Sequence, residues 1–128
     1  AKAHGFKRGI ALPVSAPFHC PLMQPAADAM AEALAKHPPA APLVPVFANV
    51  TAAPVSEPAD IARLLVEQVT GRVRWRETVA AMEAAGVAQF VEFGGKVLGP
   101  MVKRSAVGEV EALSIVAMDD IEALLKAL

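Results

Sequence analysis

The chain has 128 residues, 55% of them hydrophobic and 20% charged, which is enough apolar material for one ordinary domain with a core and unlike a disordered tail. A formal net charge of −1 with acids and bases interspersed excludes the basic stripe that nucleic acid or an anionic membrane surface attracts, and no apolar run approaches the ~20 residues that span a bilayer. One cysteine, Cys20, rules out an internal disulfide and fits a reducing compartment, so the expected localisation is cytoplasmic.

The opening AKAHGFKRG carries no initiator methionine and reads as the tail of a helix, as in a piece of a longer protein. Residues 7–15 place Ile10, Leu12 and Val14 at period two, which predicts a short strand, with Pro13 restricting it to an edge. Pro21 suits a first helical position, and Met23, Ala26, Ala27, Met30 and Leu34 then recur at helical spacing opposite Gln24, Asp28, Glu32 and Lys36. HPPAAP ends that helix. Residues 43–50, LVPVFANV, predict a second strand, and TAAPVSEP after them a loop. Pro58 opens a helix with Ile61, Leu64, Leu65 and Gln68 on its buried stripe and Gly71 past its end. Trp75, Val79 and Met82 mark a helix within residues 73–85, stopped by Gly86. VAQFVEF reads as a central strand, and Gly94 and Gly95 turn it into a helix carrying Val97, Leu98, Met101 and Val102. VEALSIVAM predicts a last strand, and Asp119 is the expected N-cap of a helix with Ile121, Leu124, Leu125 and Leu128. Strands alternate with helices, so the class is α/β with mostly parallel strands.

Most chemical signals along the chain have a structural explanation. Gly95-Lys96 resembles a phosphate loop, but neither Phe90 nor Val91 supplies the preceding glycine and Val97 stands where Ser or Thr is required. A glycine turn is the better reading. His4 and His37 have no neighbours at metal-ligand spacing, and Asp119 and Asp120 fit helix capping. No GxSxG elbow occurs in the 128 residues. Cys20 reads as a small buried thiol, because adjacent loop residues seldom aim at one atom.

His19 differs from the other two histidines. It stands between Pro17 and Pro21 at a helix start, where the positive end of the helix dipole favours the neutral ring a general base needs. Its tautomer needs a partner: an acid is one option. Another is the carbonyl of Gln68, which lies in the last turn of its helix and lacks an internal donor. The alternative reading is a loop histidine that only holds two elements together.

The succession LPVSAPFHCPLMQPAADAMAEALA, VPVFANV, LLVEQVTGRVRWRETVAAMEAAGV and FVEFGGKVLGPMVKR closely resembles the C-terminal half of the malonyl-CoA:acyl carrier protein transacylases, in register from residue 1 to about residue 104. The resemblance implies an α/β-hydrolase-like acyltransferase core with an inserted ferredoxin-like subdomain. Residues 1–14 would end that small subdomain, and residues 15–128 would form the C-terminal portion of the large core. It implies malonyl transfer from coenzyme A to the phosphopantetheine thiol of acyl carrier protein in fatty-acid synthesis, through a seryl ester. His19 would be the base, and the main-chain carbonyl of Gln68, in the VxQ stretch, would hold its ring. Phe18 matches a pocket position that is often Phe with malonyl and Ser with methylmalonyl selectivity in related polyketide acyltransferases. No cofactor is implied, since the coenzyme A thioester is a substrate. The family's serine elbow, carboxylate-binding arginine and oxyanion hole lie upstream of the matched region. The expected partners are therefore malonyl-CoA, acyl carrier protein and the missing N-terminal half, and the isolated chain is expected to be inactive. Two alternatives remain open: an acyltransferase fragment of a polyketide synthase, and a non-catalytic module binding an acidic carrier through Lys96, Lys103 and Arg104.

Overall fold

A computed structural model describes residues 2–5, 7–11 and 13–127. Pro21–Met23 form a single 3-10 turn, and the α-helix proper, α1, spans Gln24–Lys36. Two prolines, Pro21 and Pro25, supply no N–H within this first turn, so the entry is tighter than the continuous helix predicted from Pro21. Helix α1 buries Ala27 and packs on α2 (Pro58–Thr70), which buries Ile61 and Leu64.

Between α1 and α2 lies an antiparallel hairpin. Strand β1 covers Val46–Ala48 and β2 Ala53–Val55, with Val46 opposite Val55 and Ala48 opposite Ala53. The predicted strand over 43–50 is therefore shorter. Pro45 cannot donate to a ladder, and Leu43 and Val44 before it are exposed. The predicted loop TAAPVSEP instead contains β2. The turn places Ala52 N–H 2.8 Å from the Ala48 carbonyl, which brings the second strand back onto the first.

Helix α3 (Trp75–Ala84) follows, and Gly86 in the left-handed region, φ +90°, ends it as expected. Strand β3 (Gln89–Phe93) pairs in parallel with β4 (Glu111–Ile115), from Gln89 opposite Glu111 to Phe93 opposite Ile115. Helix α4 (Leu98–Ser105) is the crossover between them and buries Gly99 and Val102 against the pair. Gly94, φ +84°, makes the turn out of β3, a conformation that favours glycine. Helix α5 (Met118–Ala127) closes the described chain against β4.

Four expectations are corrected. The class is mixed α/β, but among the described residues one strand pair is parallel and the other antiparallel, so those strands are not mostly parallel. Among the described residues the 7–15 segment forms no strand: Ile10 and Val14 are 66% and 69% exposed, Leu12 lies outside the described residues, and no neighbouring strand takes the ladder hydrogen bonds. Alternation alone does not make a strand without a partner. Strand β3 pairs on one side only, so among the described residues it is an edge, not a centre. At the last helix, Asp119 lies inside α5, and the cap comes from Asp120, whose carboxylate accepts Val116 N–H at 2.9 Å and Ala117 N–H at 3.0 Å. Leu128 lies outside the described residues.

Candidate active site

His19 is placed by its neighbours. Phe18 N–H turns back to the Ala16 carbonyl at 2.9 Å, Cys20 is extended, and the 3-10 turn begins at Pro21. Between them His19 itself takes φ +56°. That left-handed conformation is uncommon for a side-chain-bearing residue, although histidine is among those enriched there, and it costs on the order of 1–3 kcal/mol. The residues around it must hold it.

The result is a ring directed at the C-terminal end of α2. His19 Nδ1 lies 3.0 Å from the Gln68 carbonyl, the contact expected between these two residues. A carbonyl only accepts, so Nδ1 carries the proton, and in the neutral ring Nε2 is left with its lone pair. Among the described residues no carboxylate touches the ring.

Gln68 has a free carbonyl because α2 stops where it does. The last helical bond runs from Gly71 N–H to the Glu67 carbonyl at 3.0 Å, and Gly71 then turns extended with ψ 155°. Among the described residues no backbone N–H reaches the Gln68 carbonyl. Beyond Gly71, the Asn49 side chain grips the connection to α3: its Nδ2 donates to the Arg72 carbonyl at 3.2 Å and its Oδ1 accepts Arg74 N–H at 2.8 Å. Asn49 and Gln68 also border one pocket of about 120 Å³ with Phe47, Ile61, Leu64 and Leu65.

The other sequence candidates fall apart spatially or chemically. Cys20 donates its thiol to the Pro17 carbonyl at 3.1 Å, a local contact that does not involve the ring of His19. Phe18 is 57% exposed, so packing within this chain does not account for it. The helix start after Gly94-Gly95 is already filled: the Glu92 carboxylate accepts the N–H groups of Val97, Leu98 and Gly99 at 2.9 to 3.0 Å. Desolvation pushes the Glu92 carboxyl up, and the N–H groups of Gly99, Val97 and Leu98 with the Ser114 hydroxyl outweigh it, leaving it below the ordinary glutamate range. A phosphate would meet a carboxylate there. Lys96 and Lys103 border an open depression with Ser114, and with Arg104 they are exposed. Among the described residues no three His, Cys, Asp or Glu side chains gather as a metal site, and no helix is long and apolar enough to cross a membrane.

Sequence reasoning missed Asn49, Glu92 and Glu83, the last of which accepts Val107 N–H at 2.9 Å and Gly108 N–H at 3.0 Å. For Glu92 a signal existed. A carboxylate inside the apolar run FVEF has to find donors, and the following turn offers them. Asn49 carried only the ordinary signature of a turn residue.

No protein-family model matches the chain. A malonyl CoA-acyl carrier protein transacylase of Salmonella typhimurium is 43% identical over 128 residues, covering 99% of this chain and 40% of that protein. The solved acyl-carrier-protein-S-malonyltransferase of Bartonella henselae matches at TM-score 0.89 and 49% identity, over 99% of this chain and 40% of that one. The chain corresponds to the C-terminal part of the malonyl-CoA:acyl carrier protein transacylases. It spans about 40% of the length of the relatives it matches. Another transacylase of similar fold, with TM-score 0.87 and 37% identity over 99% of this chain, was solved as a malonyl-transacylase in complex with a type II polyketide synthase acyl-carrier protein. These relatives are transferases by name.

Proposed function

We propose that this segment supplies the base half of a malonyl-CoA:acyl carrier protein transacylase active site of fatty-acid synthesis, with the nucleophilic serine contributed by the N-terminal part of the enzyme. The observation that carries the reading is the 3.0 Å contact from His19 Nδ1 to the Gln68 carbonyl, which holds the proton on Nδ1 and leaves Nε2 as acceptor.

His19 Nε2 takes the serine proton as the hydroxyl oxygen attacks the malonyl thioester carbon. The ring, now cationic, is stabilised by Nδ1–H donating to Gln68, and Nε2–H returns its proton to the departing coenzyme A sulfur. In the second half the phosphopantetheine thiol gives its proton to Nε2 and attacks the seryl ester, and the serine oxygen recovers the proton. No cofactor enters either step. A backbone carbonyl does here what an acid does in other triads: it orients the ring without carrying a charge.

Phe18, exposed one residue before the base, is the proposed pocket wall beside the malonyl group, which is completed by the N-terminal part. The larger fold would be an α/β-hydrolase-like core with residues 1–14 closing a ferredoxin-like subdomain. The exposed apolar side chains and unpaired strand edges support a chain that packs on further structure.

The test is malonyl transfer to acyl carrier protein. The purified chain alone should give none, and the chain joined to an N-terminal portion should be active. In that joined enzyme His19→Ala should lower kcat by about 10² to 10⁴. Transfer by the chain alone, or full activity of the joined His19→Ala enzyme, sinks the proposal.

A further inference from the structure

We propose that Asn49 is a positioning residue for this reaction: its side-chain amide holds the exit of α2 so that the Gln68 carbonyl stays open to the His19 ring. The inference rests on the base role of His19 given above.

In an α-helix each carbonyl accepts the N–H four residues on, so a helix running two residues past Thr70 would give the Gln68 carbonyl to Arg72 N–H. Two features prevent this. Gly71 turns extended with ψ 155°, and Asn49 takes hold of the peptide groups on either side of Val73, the Arg72 carbonyl at 3.2 Å and the Arg74 N–H at 2.8 Å. One side chain must donate and accept at once to do so, and a neutral carboxamide has both functions. The Arg74 guanidinium repeats the link from the other side, donating from Nη1 to the Val50 carbonyl at 3.2 Å. The turn after β1 is thus tied to the connection between α2 and α3, separated from it by more than 20 residues of sequence.

The consequence reaches the ring. Without the amide, the connection is held only by the Arg74–Val50 contact, α2 extends in a fraction of molecules, and there Arg72 N–H competes with His19 for the same carbonyl. The proton on His19 is then no longer held at Nδ1, and a fraction of the rings presents Nε2–H, which cannot accept from serine.

The test uses the chain joined to its N-terminal portion and reads two quantities: the ring ¹⁵N shifts of His19 in the neutral form, which report the tautomer, and kcat against KM for malonyl transfer. Asn49→Leu should mix the two tautomers and lower kcat by about tenfold or more with little change in KM. Asn49→Asp keeps the acceptor for Arg74 and loses the donor to Arg72, and should fall between; it carries the test if Asn49→Leu does not fold. Glu83→Gln, which loosens the unrelated contact to Val107 and Gly108, should lower Tm and leave the ring shifts unchanged. A folded Asn49→Leu or Asn49→Asp enzyme with wild-type ring shifts overturns the proposal even if its Tm falls. Altered ring shifts with unchanged kcat would support the link from Asn49 to His19 and overturn the base role instead.

Discussion

At Gly71 the constraint is space. A Cβ there would sit 2.9 Å from the Glu67 carbonyl oxygen and 2.9 Å from Val50 Cγ1, and a backbone oxygen in the last turn of a helix cannot give way. Gly71→Ala is therefore expected to destabilise the chain by about 1–3 kcal/mol, read as a lower urea midpoint with an unchanged slope. An unaltered midpoint would mean that the close approach does not govern this turn. Phe18 is a residue-scale question of selectivity. In the joined enzyme Phe18→Ser should raise methylmalonyl transfer relative to malonyl transfer, and unchanged ratios of kcat/KM would remove it from the pocket wall. Gly71 was legible in the sequence as a helix stop, whereas the pocket role of Phe18 is an expectation that the family resemblance alone carries. The reason Gly71 cannot be alanine was not legible, because Val50 approaches from another element.

At the scale of elements, two carboxylates terminate helices. Glu92 caps the start of α4 from the preceding strand, and Asp120, in the first turn of α5, reaches back to Val116 and Ala117. Both carboxyls sit below their ordinary range, Asp120 chiefly through the Val116 and Ala117 N–H groups. A carboxylate with a depressed folded pKa contributes stability that is fully present above its unfolded value, about pH 4, and is lost as pH falls through the folded value. Urea midpoints should therefore drop below about pH 4, and Glu92→Gln or Asp120→Asn should flatten that drop while lowering stability at pH 7. In Glu92→Gln one oxygen becomes an NH₂ that faces N–H groups, which leaves them unpaired. A pH profile identical to wild type in both variants would rule the carboxylates out as its source. Helix positions were legible here from the 3.6 period, whereas the N-cap expected at Asp119 falls inside α5, and it is Asp120 whose carboxylate reaches back to the residues before the helix, a choice between two adjacent aspartates that only the turn after β4 makes.

Across the whole molecule, the surface is the informative part. Phe93 and Met118 are each 71% exposed and Val97 67%, near the carboxyl ends of the two parallel strands, and β3 and β4 pair only with each other among the described residues. Parallel strands are ordinarily covered on both faces, so this pair has the character of an interior laid open. The isolated chain should bind a hydrophobic dye, and adding an N-terminal portion of the enzyme should displace the dye and raise Tm by mass action. No rise in Tm at saturating N-terminal portion would count against that portion as the cover.

The sequence by itself determined the helices α1 to α5 to within a few residues, the succession of strand, helix and strand from β3 through α4 to β4, and the pair of residues, His19 and Gln68, that meet at the candidate site. Periodicity, proline and glycine placement, and the free carbonyl at a helix end are local properties, and local properties are written in the order of residues. Tertiary structure alone decided that the described residues of 7–15 form no strand, that TAAPVSEP contributes one, and that Asn49 reaches across to Arg72 and Arg74. Each of these depends on whether a donor or acceptor arrives from another segment: β1 folds back onto β2 across a short turn, whereas the Asn49 partners lie more than 20 residues away and leave no mark on the pattern of either partner taken alone.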